Sequence, residues 1–213
     1  MEDSYQHKGL RKKLVDEIRL KGIKDEKVLA AINIVPRHLF MDSGFINFAY
    51  RDQAFPISAG QTISQPYTVA FQTELLQVEP MHRVLEVGTG SGYQAAVLCE
   101  MGVRVFTIER HKELFIKSQM LLTSLNYRPG FFYGDGYQGL PTYGPFDRIL
   151  ITAAAPEIPE KLLDQLKVGG RLVVPVGGTS SQTMTVIEKL GEKDYRITEH
   201  GSFVFVPMLG GKQ

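Results

Sequence analysis

The length, composition and charge of this chain argue against several classes of protein. Its 213 residues carry 24 basic and 23 acidic side chains. The resulting net charge of +1 gives no general attraction to nucleic acid or to an anionic membrane. No apolar stretch approaches the ~20 residues of a membrane span, and the amino terminus lacks the apolar core of a signal peptide. Cys99 is the only cysteine, which excludes an intramolecular disulfide and favours a reducing, cytoplasmic location.

The amino-terminal third of the chain is predicted to be helical, with one long irregular segment. In the region 8–33, apolar residues recur at four-residue spacing among charged ones, which is typical of an amphipathic helix. Gly22 interrupts this pattern, and Asp25 is placed to cap a second helix. Residues 45–66 lose all periodicity, and long irregular segments of this kind are often functional. A helix over 67–77 is expected to follow.

From residue 83 onward, strand-like and helix-like stretches alternate, which predicts a parallel sheet covered by helices on both faces. After residue 178, two strands joined by a polar turn predict an antiparallel pair at one edge. The predicted strands are 83–87, 103–109, 131–133, 148–151, 171–175, 184–190 and 196–206, and the predicted helices are 93–101, 112–125 and 158–166.

The predicted fold class is therefore α/β: a doubly wound, mostly parallel, Rossmann-like sheet with antiparallel carboxyl-terminal strands and an amino-terminal helical extension. We expect one compact domain, in which residues 1–80 pack on a core formed by residues 81–213. The ligand crevice of such a sheet lies at the carboxyl ends of its strands.

A glycine-rich turn follows the first predicted core strand. Three glycines stand at alternate positions after an acidic residue, and the chain then becomes helical. A dinucleotide-binding fingerprint would require glycine where this chain has Tyr93. The pattern instead resembles the first motif of class I S-adenosylmethionine (AdoMet) dependent methyltransferases. The residues of this motif predicted to bind the cofactor are Glu86, Gly88, Thr89, Gly90 and Ser91.

Acidic residues end the next two predicted strands. Glu109 lies seventeen residues beyond Gly92, near the place where such folds position an acid that accepts hydrogen bonds from ribose hydroxyls. Asp135 lies between two glycines, which by itself indicates a turn. Because it comes third in this series of strand ends, we expect its carboxylate to face the adenine amino group, with Gly136 beside it.

The end of the fourth core strand bears on the methyl acceptor. Methyltransferases acting on base or amide nitrogens typically carry an Asp or Asn, two prolines and an aromatic residue at this place. This chain instead has small apolar residues, Ala153, Ala154 and Ala155. A planar amino acceptor is therefore disfavoured.

Taken together, the motifs resemble those of the protein-L-isoaspartate O-methyltransferase family over nearly the whole chain, from about residue 10 to 207. The segments that carry the resemblance are GQTISQPY at 60–67, EVGTGSGY at 86–93, GDG at 134–136, TAAAPEIP at 152–159, GGRLVVPVG at 169–177 and FVP at 205–207. The first of these is highly specific to the family. One departure is Ser58, which stands where the family commonly has glycine.

The resemblance implies transfer of a methyl group from AdoMet to the α-carboxylate of L-isoaspartyl residues in proteins and peptides, leaving S-adenosylhomocysteine. It implies that Ser64 is the active-site hydroxyl, that Thr62 and Ser64 also contact the cofactor, and that residues 1–80 contribute the substrate cleft. It places Pro56, Ile57 and Val206 in that peptide cleft. No metal is expected, and neither is a nucleic-acid or membrane partner, and we expect a monomer.

Two other functions remain open at this point. A class I methyltransferase with another acceptor, such as a small carboxylic acid or a hydroxyl, would share the cofactor motifs. A non-catalytic nucleotide- or AdoMet-binding module would also keep the fold. The intact acids Glu86, Glu109 and Asp135 argue against the second alternative, because a decayed module has no need of them.

Overall fold

The structure, a computed structural model, describes residues 3–213. The helices are α1 (Tyr5–Leu20), α2 (Glu26–Ile34), α3 (Pro66–Leu76), α4 (Tyr93–Glu100), α5 (Lys112–Ser124) and α6 (Glu160–Asp164). The strands are β1 (Phe55–Pro56), β2 (Thr62–Ile63), β3 (Arg83–Val87), β4 (Arg104–Glu109), β5 (Gly130–Tyr133), β6 (Phe146–Ile151), β7 (Leu166–Gly177), β8 (Gln182–Lys189) and β9 (Tyr195–Phe203). No helix in this described range is long and apolar enough to cross a membrane.

Seven strands form one sheet in the order β5-β4-β3-β6-β7-β8-β9. The strands from β3 to β7 are parallel, and β8 and β9 are added antiparallel to them. The strand order reverses between β3 and β6, because β4 lies on the opposite side of β3. Ligands of open α/β sheets bind at such a reversal, outside the carboxyl ends of the strands. The predicted doubly wound sheet with antiparallel carboxyl-terminal strands is confirmed.

The sheet is buried on both faces, which explains its apolar strand sequences. Val84 of β3 belongs to one apolar cluster, which also contains residues of α1, α2, α3 and α4. Its neighbour Leu85 belongs to a second cluster on the other face, with Leu162 of α6. Successive residues of a strand point to opposite faces of the sheet. The amino-terminal helices therefore pack directly on the sheet and its helices, while the division at residue 80 stays a prediction.

Side-chain caps define the starts of the first two helices. The Asp25 side chain accepts hydrogen bonds from the backbone N–H groups of Lys27 and Val28, so the predicted cap of α2 is confirmed. Helix α1 begins at Tyr5, earlier than the apolar pattern indicated. Ser4 and His7 form a capping box that satisfies the free N–H groups there.

The segment 45–66 is more ordered than its lack of periodicity indicated. A 3₁₀ helix at Ser43–Phe48 extends into it, and a short antiparallel hairpin of β1 and β2 lies within it. Phe55 pairs with Ile63 in this hairpin, and both side chains are buried. This apolar cross-strand pair packs the hairpin against the core. The two strands have only two residues each, which is too short to produce a visible sequence period.

Several carboxyl-terminal boundaries differ from the prediction, and the largest difference is that β7 begins at Leu166 and not at residue 171. Helix α6 ends at Asp164, because Leu166 already pairs with Phe146 as the first residue of the long strand β7. Strand β9 ends at Phe203, so Val206 lies outside it. The Val206 carbonyl instead accepts a hydrogen bond of 2.8 Å from the Ala154 N–H, just beyond β6. This bond brings Val206 to the carboxyl end of the parallel strands.

Candidate active site

A cavity that opens to solvent lies at the carboxyl ends of β3 and β4; together with the open space at its mouth it measures about 840 Å³. The structure brings together at the cavity wall residues predicted from five separate parts of the chain. The predicted site residues that line it are Thr62, Ser64, Gly88, Thr89, Gly90, Ser91, Glu109, Gly136 and Val206.

The glycine turn is shaped so that side chains cannot replace two of its glycines. Gly88 and Gly92 have φ angles of 99° and 87°, which L side chains rarely adopt. A Cβ atom at Gly88 would lie 2.6 Å from Thr152 Oγ1, and one at Gly92 would lie 2.9 Å from Leu122 Cδ1. Packing against Thr152 and Leu122 therefore requires glycine at these two positions. Gly88 and Gly90 line the cavity and leave bare backbone in its wall, which fits close approach by a ligand such as AdoMet.

Glu109 ties the end of β4 to the glycine turn. Its Oε2 accepts a hydrogen bond of 2.9 Å from the Gly90 N–H, and its Oε1 accepts one of 2.9 Å from the His111 N–H. A carboxylate oxygen can accept more than one hydrogen bond. Glu109 lines the cavity with acceptor capacity left for ribose hydroxyls, as the predicted role requires; that role stays a prediction.

Glu86 lies in β3 beneath the turn and is fully buried. Neither of its carboxylate oxygens has a hydrogen-bond partner among residues 3–213. Burial raises the pKa of Glu86 to about 8, and the charge of Glu109 adds to this rise. The nearby Thr107 hydroxyl opposes the rise, although it does not reach hydrogen-bond geometry. Glu86 is therefore mostly protonated at neutral pH. Its side chain does not line the cavity, and its predicted role in cofactor binding stays a prediction.

Asp135 also lies outside the cavity wall. Its carboxylate accepts hydrogen bonds of 2.9 Å from the backbone N–H groups of Tyr137 and Gly211. The first bond forms the turn that its flanking glycines indicated. The second holds the carboxyl-terminal segment against the site, beside Gly136 in the wall. Contact between Asp135 and adenine stays a prediction.

Ser64 follows the hairpin and precedes α3. Its side chain is half-buried and lines the cavity. None of the side-chain hydrogen bonds found within residues 3–213 involves the Ser64 hydroxyl, so this group is free to bond a ligand. Thr62 lies two residues earlier on the same wall.

Of the three predicted peptide-cleft residues, the structure places Val206 and Ile57 at the site. Val206 lines the main cavity, whereas Ile57 lines a neighbouring groove that shares Gly90 with it. Pro56 is exposed beside Ile57. Ser58, the departure from the family pattern, accepts a hydrogen bond of 2.6 Å from the Lys117 ammonium group of α5. The lip of the cleft is thereby joined to the core.

Sequence reasoning missed several residues of the cavity wall. The Thr152 hydroxyl donates a hydrogen bond of 2.7 Å to the Gly88 carbonyl, and its backbone N–H donates one of 3.0 Å to the Val87 carbonyl, so Thr152 fixes the turn from the end of β6. Its place at a strand end was a usable signal. Tyr93 and His111 also line the cavity. Tyr93 directly follows the glycine turn, and His111 comes two residues after Glu109.

A family profile described as protein-L-isoaspartate(D-aspartate) O-methyltransferase (PCMT) matches residues 9–213. The chain belongs to this methyltransferase family. The resemblance that the motifs indicated is thereby confirmed, and the match covers both the amino-terminal helices and the α/β core. Membership in a family of enzymes also removes the non-catalytic alternative.

Two bacterial relatives named protein-L-isoaspartate O-methyltransferase match the chain over its length. The protein of Cytophaga hutchinsonii is 60% identical over 210 residues, covering 99% of this chain and 95% of the relative. The protein of Christiangramia forsetii is 57% identical over 213 residues, covering 100% of both chains.

Solved structures of the isoaspartate methyltransferase family share the fold. One protein-L-isoaspartate O-methyltransferase has a TM-score of 0.85 at 27% identity, with 94% of this chain and 66% of that longer chain covered. A putative family member from Plasmodium falciparum, solved in complex with S-adenosyl-L-homocysteine, has a TM-score of 0.81 at 26% identity. There the match covers 93% of this chain and 98% of that one.

Proposed function

We propose that this methyltransferase esterifies the α-carboxylate of L-isoaspartyl residues in proteins and peptides, with AdoMet as methyl donor and Ser64 as the residue that orients the acceptor. The observation that carries the proposal is the free Ser64 hydroxyl on the wall of a cavity that also contains the glycine turn. Family membership and 60% identity to a named relative support the substrate class.

The glycine turn and Glu109 are the groups that would hold AdoMet. Bare backbone at Gly88 admits close approach, and Glu109 offers acceptors for ribose hydroxyls. When bound, AdoMet supplies a methyl group made electrophilic by its sulfonium sulfur. The Plasmodium falciparum relative in complex with S-adenosyl-L-homocysteine supports this cofactor.

The acceptor requires little chemistry from the protein. A carboxylate has a pKa near ~4, so it is ionised at neutral pH and no side chain has to remove a proton. The Ser64 hydroxyl donates a hydrogen bond to one carboxylate oxygen and leaves the other directed at the methyl group. Rate acceleration then comes mainly from alignment of the reacting atoms in a site shielded from water.

Small side chains at the end of β6 favour this acceptor over a planar amine. Ala153 lines the cavity, and Ala154 and Ala155 follow it. None of the three offers an aromatic face or a side-chain hydrogen-bond acceptor. Pro56, Ile57 and Val206 at the mouth would contact the peptide on either side of the isoaspartyl residue.

Methyl esterification prepares the damaged residue for repair. The ester carbonyl has methoxide as a leaving group, so the neighbouring backbone nitrogen attacks it and closes a succinimide. Hydrolysis of the succinimide gives normal aspartyl residues in part. We further infer a cytoplasmic monomer that needs no metal, nucleic acid or membrane; one cysteine and a net charge of +1 support this environment.

Matched peptides test the proposed function. The enzyme is incubated with AdoMet carrying a labelled methyl group and with one of two peptides that differ only in an isoaspartyl or an aspartyl linkage. We expect base-labile label on the isoaspartyl peptide and none on its aspartyl twin. Equal labelling of the two, or labelling of neither with transfer to a small carboxylic acid, would support the other acceptor class instead.

A further inference from the structure

The carboxylate of Asp52 joins the two ends of the segment that contains Ser64. Asp52 precedes the hairpin of β1 and β2, and its side chain is only 2% exposed. Its Oδ1 accepts a hydrogen bond of 2.7 Å from the backbone N–H of Tyr67. Its Oδ2 accepts one of 3.0 Å from the Gln65 side-chain amide. Residues 52–67 are thereby closed into a loop, with Ser64 next to the point of closure.

Asp52 also replaces the missing cap of helix α3. Gln65 occupies the N-cap position and makes no side-chain capping bond, and Pro66 at the first helical position has no N–H. Tyr67 therefore has the first free N–H of the helix, and Asp52 accepts from it. A carboxylate at a helix amino terminus is favoured by both the hydrogen bond and the helix dipole.

Two cations hold Asp52 and its neighbour in place. Lys21 at the end of α1 lies 2.5 Å from Asp52 Oδ2. The fully buried Arg37 donates a hydrogen bond of 3.2 Å to the Gln53 carbonyl, and its guanidinium lies 4.9 Å from the centre of the Tyr93 ring. The loop closure is thus connected to Tyr93, the first residue after the glycine turn.

We propose that Asp52 is a positioning residue for methyl transfer: by closing the segment 52–67 it sets the place of the Ser64 hydroxyl relative to the glycine turn. Asp52 does not line the cavity and touches neither substrate nor cofactor in this role. The proposal rests on the function assigned to Ser64 above. A shift of about 1 Å in a reacting group is enough to cost on the order of 100-fold in rate.

A double-mutant cycle separates this role from a general loss of stability. We expect Asp52→Ala to lower kcat for an isoaspartyl peptide about 10- to 100-fold in the wild-type background. In the Ser64→Ala background the same substitution is expected to lower kcat less than about threefold, because the group that it positions is absent. Asp52→Asn keeps one acceptor for Tyr67 and is expected to fall between, which gives a second variant if Asp52→Ala folds poorly.

Glu74 provides a matched control on the same helix. Its Oε1 accepts hydrogen bonds from the backbone N–H groups of Lys24 and Asp25, near the far end of α3 from Ser64. Glu74→Ala therefore removes the same kind of carboxylate-to-backbone contact and is expected to lower the melting temperature while leaving kcat within about twofold. Hydrogen exchange at the Tyr67 amide is expected to accelerate in Asp52→Ala and not in Glu74→Ala.

The possible results have distinct meanings. Equal factors of loss in the wild-type and Ser64→Ala backgrounds, or unchanged exchange at Tyr67 in Asp52→Ala, would overturn the role of Asp52 and leave the proposed function standing. Failure of the wild-type enzyme to methylate the isoaspartyl peptide would overturn the proposed function, and the role of Asp52 with it.

Discussion

Glu109 Oε2 accepts a hydrogen bond of 2.9 Å from the backbone N–H of Gly90, so the carboxylate that ends β4 holds the glycine turn that ends β3. The two strands are adjacent and parallel, with Val87 paired to Ile108 just before them. One acidic side chain therefore orders the turn before any ligand binds and presents acceptors at the same place. Preorganisation of this kind reduces the entropy lost on binding.

Glu109→Gln tests this double role. The amide would place N–H donors against one of the two backbone N–H groups that the carboxylate now satisfies, and it would accept fewer bonds from ribose. We expect the affinity for S-adenosylhomocysteine to fall about 10- to 100-fold, from hydrogen bonds to a charged group of about 1.5–3 kcal/mol. Calorimetric titration measures this, with the exposed Glu160→Gln of α6 as control. Unchanged affinity in Glu109→Gln would remove Glu109 from the cofactor site.

Gly88→Ala tests the glycine turn. The new Cβ would lie 2.6 Å from Thr152 Oγ1 at a φ of 99°, so both strain and overlap oppose it. We expect a loss of unfolding free energy of about 2–4 kcal/mol and no measurable binding of S-adenosylhomocysteine. Gly169→Ala is the matched control, because Gly169 also has a positive φ of 80° but open space around its Cβ. Denaturation and binding of both variants distinguish overlap at the site from backbone strain alone.

The buried Glu86 predicts a pH dependence of stability. Its pKa is about 8 in the folded protein and has an ordinary value of 4.5, so the folded state binds a proton that the unfolded state releases. The contribution of Glu86 to the free energy of unfolding is therefore complete below pH 4.5 and is lost as the pH rises to about 8. The loss amounts to up to about 1.4 kcal/mol per pH unit.

Urea unfolding of the wild-type protein and Glu86→Gln between pH 5.5 and 8.5 measures this contribution. The glutamine stays neutral, so the difference in unfolding free energy between the two proteins is expected to shift towards the variant as the pH rises. All other titrating groups are common to both proteins and cancel in this comparison. A difference that stays constant with pH would mean that Glu86 is not buried with a raised pKa.

Ser58 tests the lip of the cleft. Its hydroxyl accepts a hydrogen bond from Lys117, which also pairs with Glu113 on α5. Ser58→Ala removes the bond between hairpin and helix, and we expect the KM for an isoaspartyl peptide to rise about two- to threefold at unchanged kcat. Steady-state kinetics on one peptide measures this. A change in kcat without a change in KM would place Ser58 with the reacting groups rather than at the lip.

The parts of the fold that follow from local sequence were predictable. The turn at 88–92 needs glycine for reasons of backbone geometry. Apolar strands alternate with helices because both faces of the sheet are covered. The cap at Asp25 depends on residues two and three positions away. Each of these features is fixed within a short stretch of chain.

Features that depend on distant partners were not predictable. Asp135 bonds Gly211, 76 positions along the chain, and Asp52 bonds Tyr67, 15 positions along. The loss of periodicity indicated that the segment 45–66 was unusual, but not which of its side chains would close it. The boundary of α6 failed for the same reason, because strand pairing with Phe146 took Leu166 from the helix.

The most direct test of the central claim is the single-turnover rate of methyl ester formation on an isoaspartyl peptide by the wild-type enzyme and by Ser64→Ala, with S-adenosylhomocysteine affinity measured on both. We expect the rate to fall about 10- to 100-fold, because the acceptor carboxylate loses its orienting hydrogen bond, and the affinity to change less than about threefold. A wild-type rate in Ser64→Ala would contradict the role assigned to this hydroxyl.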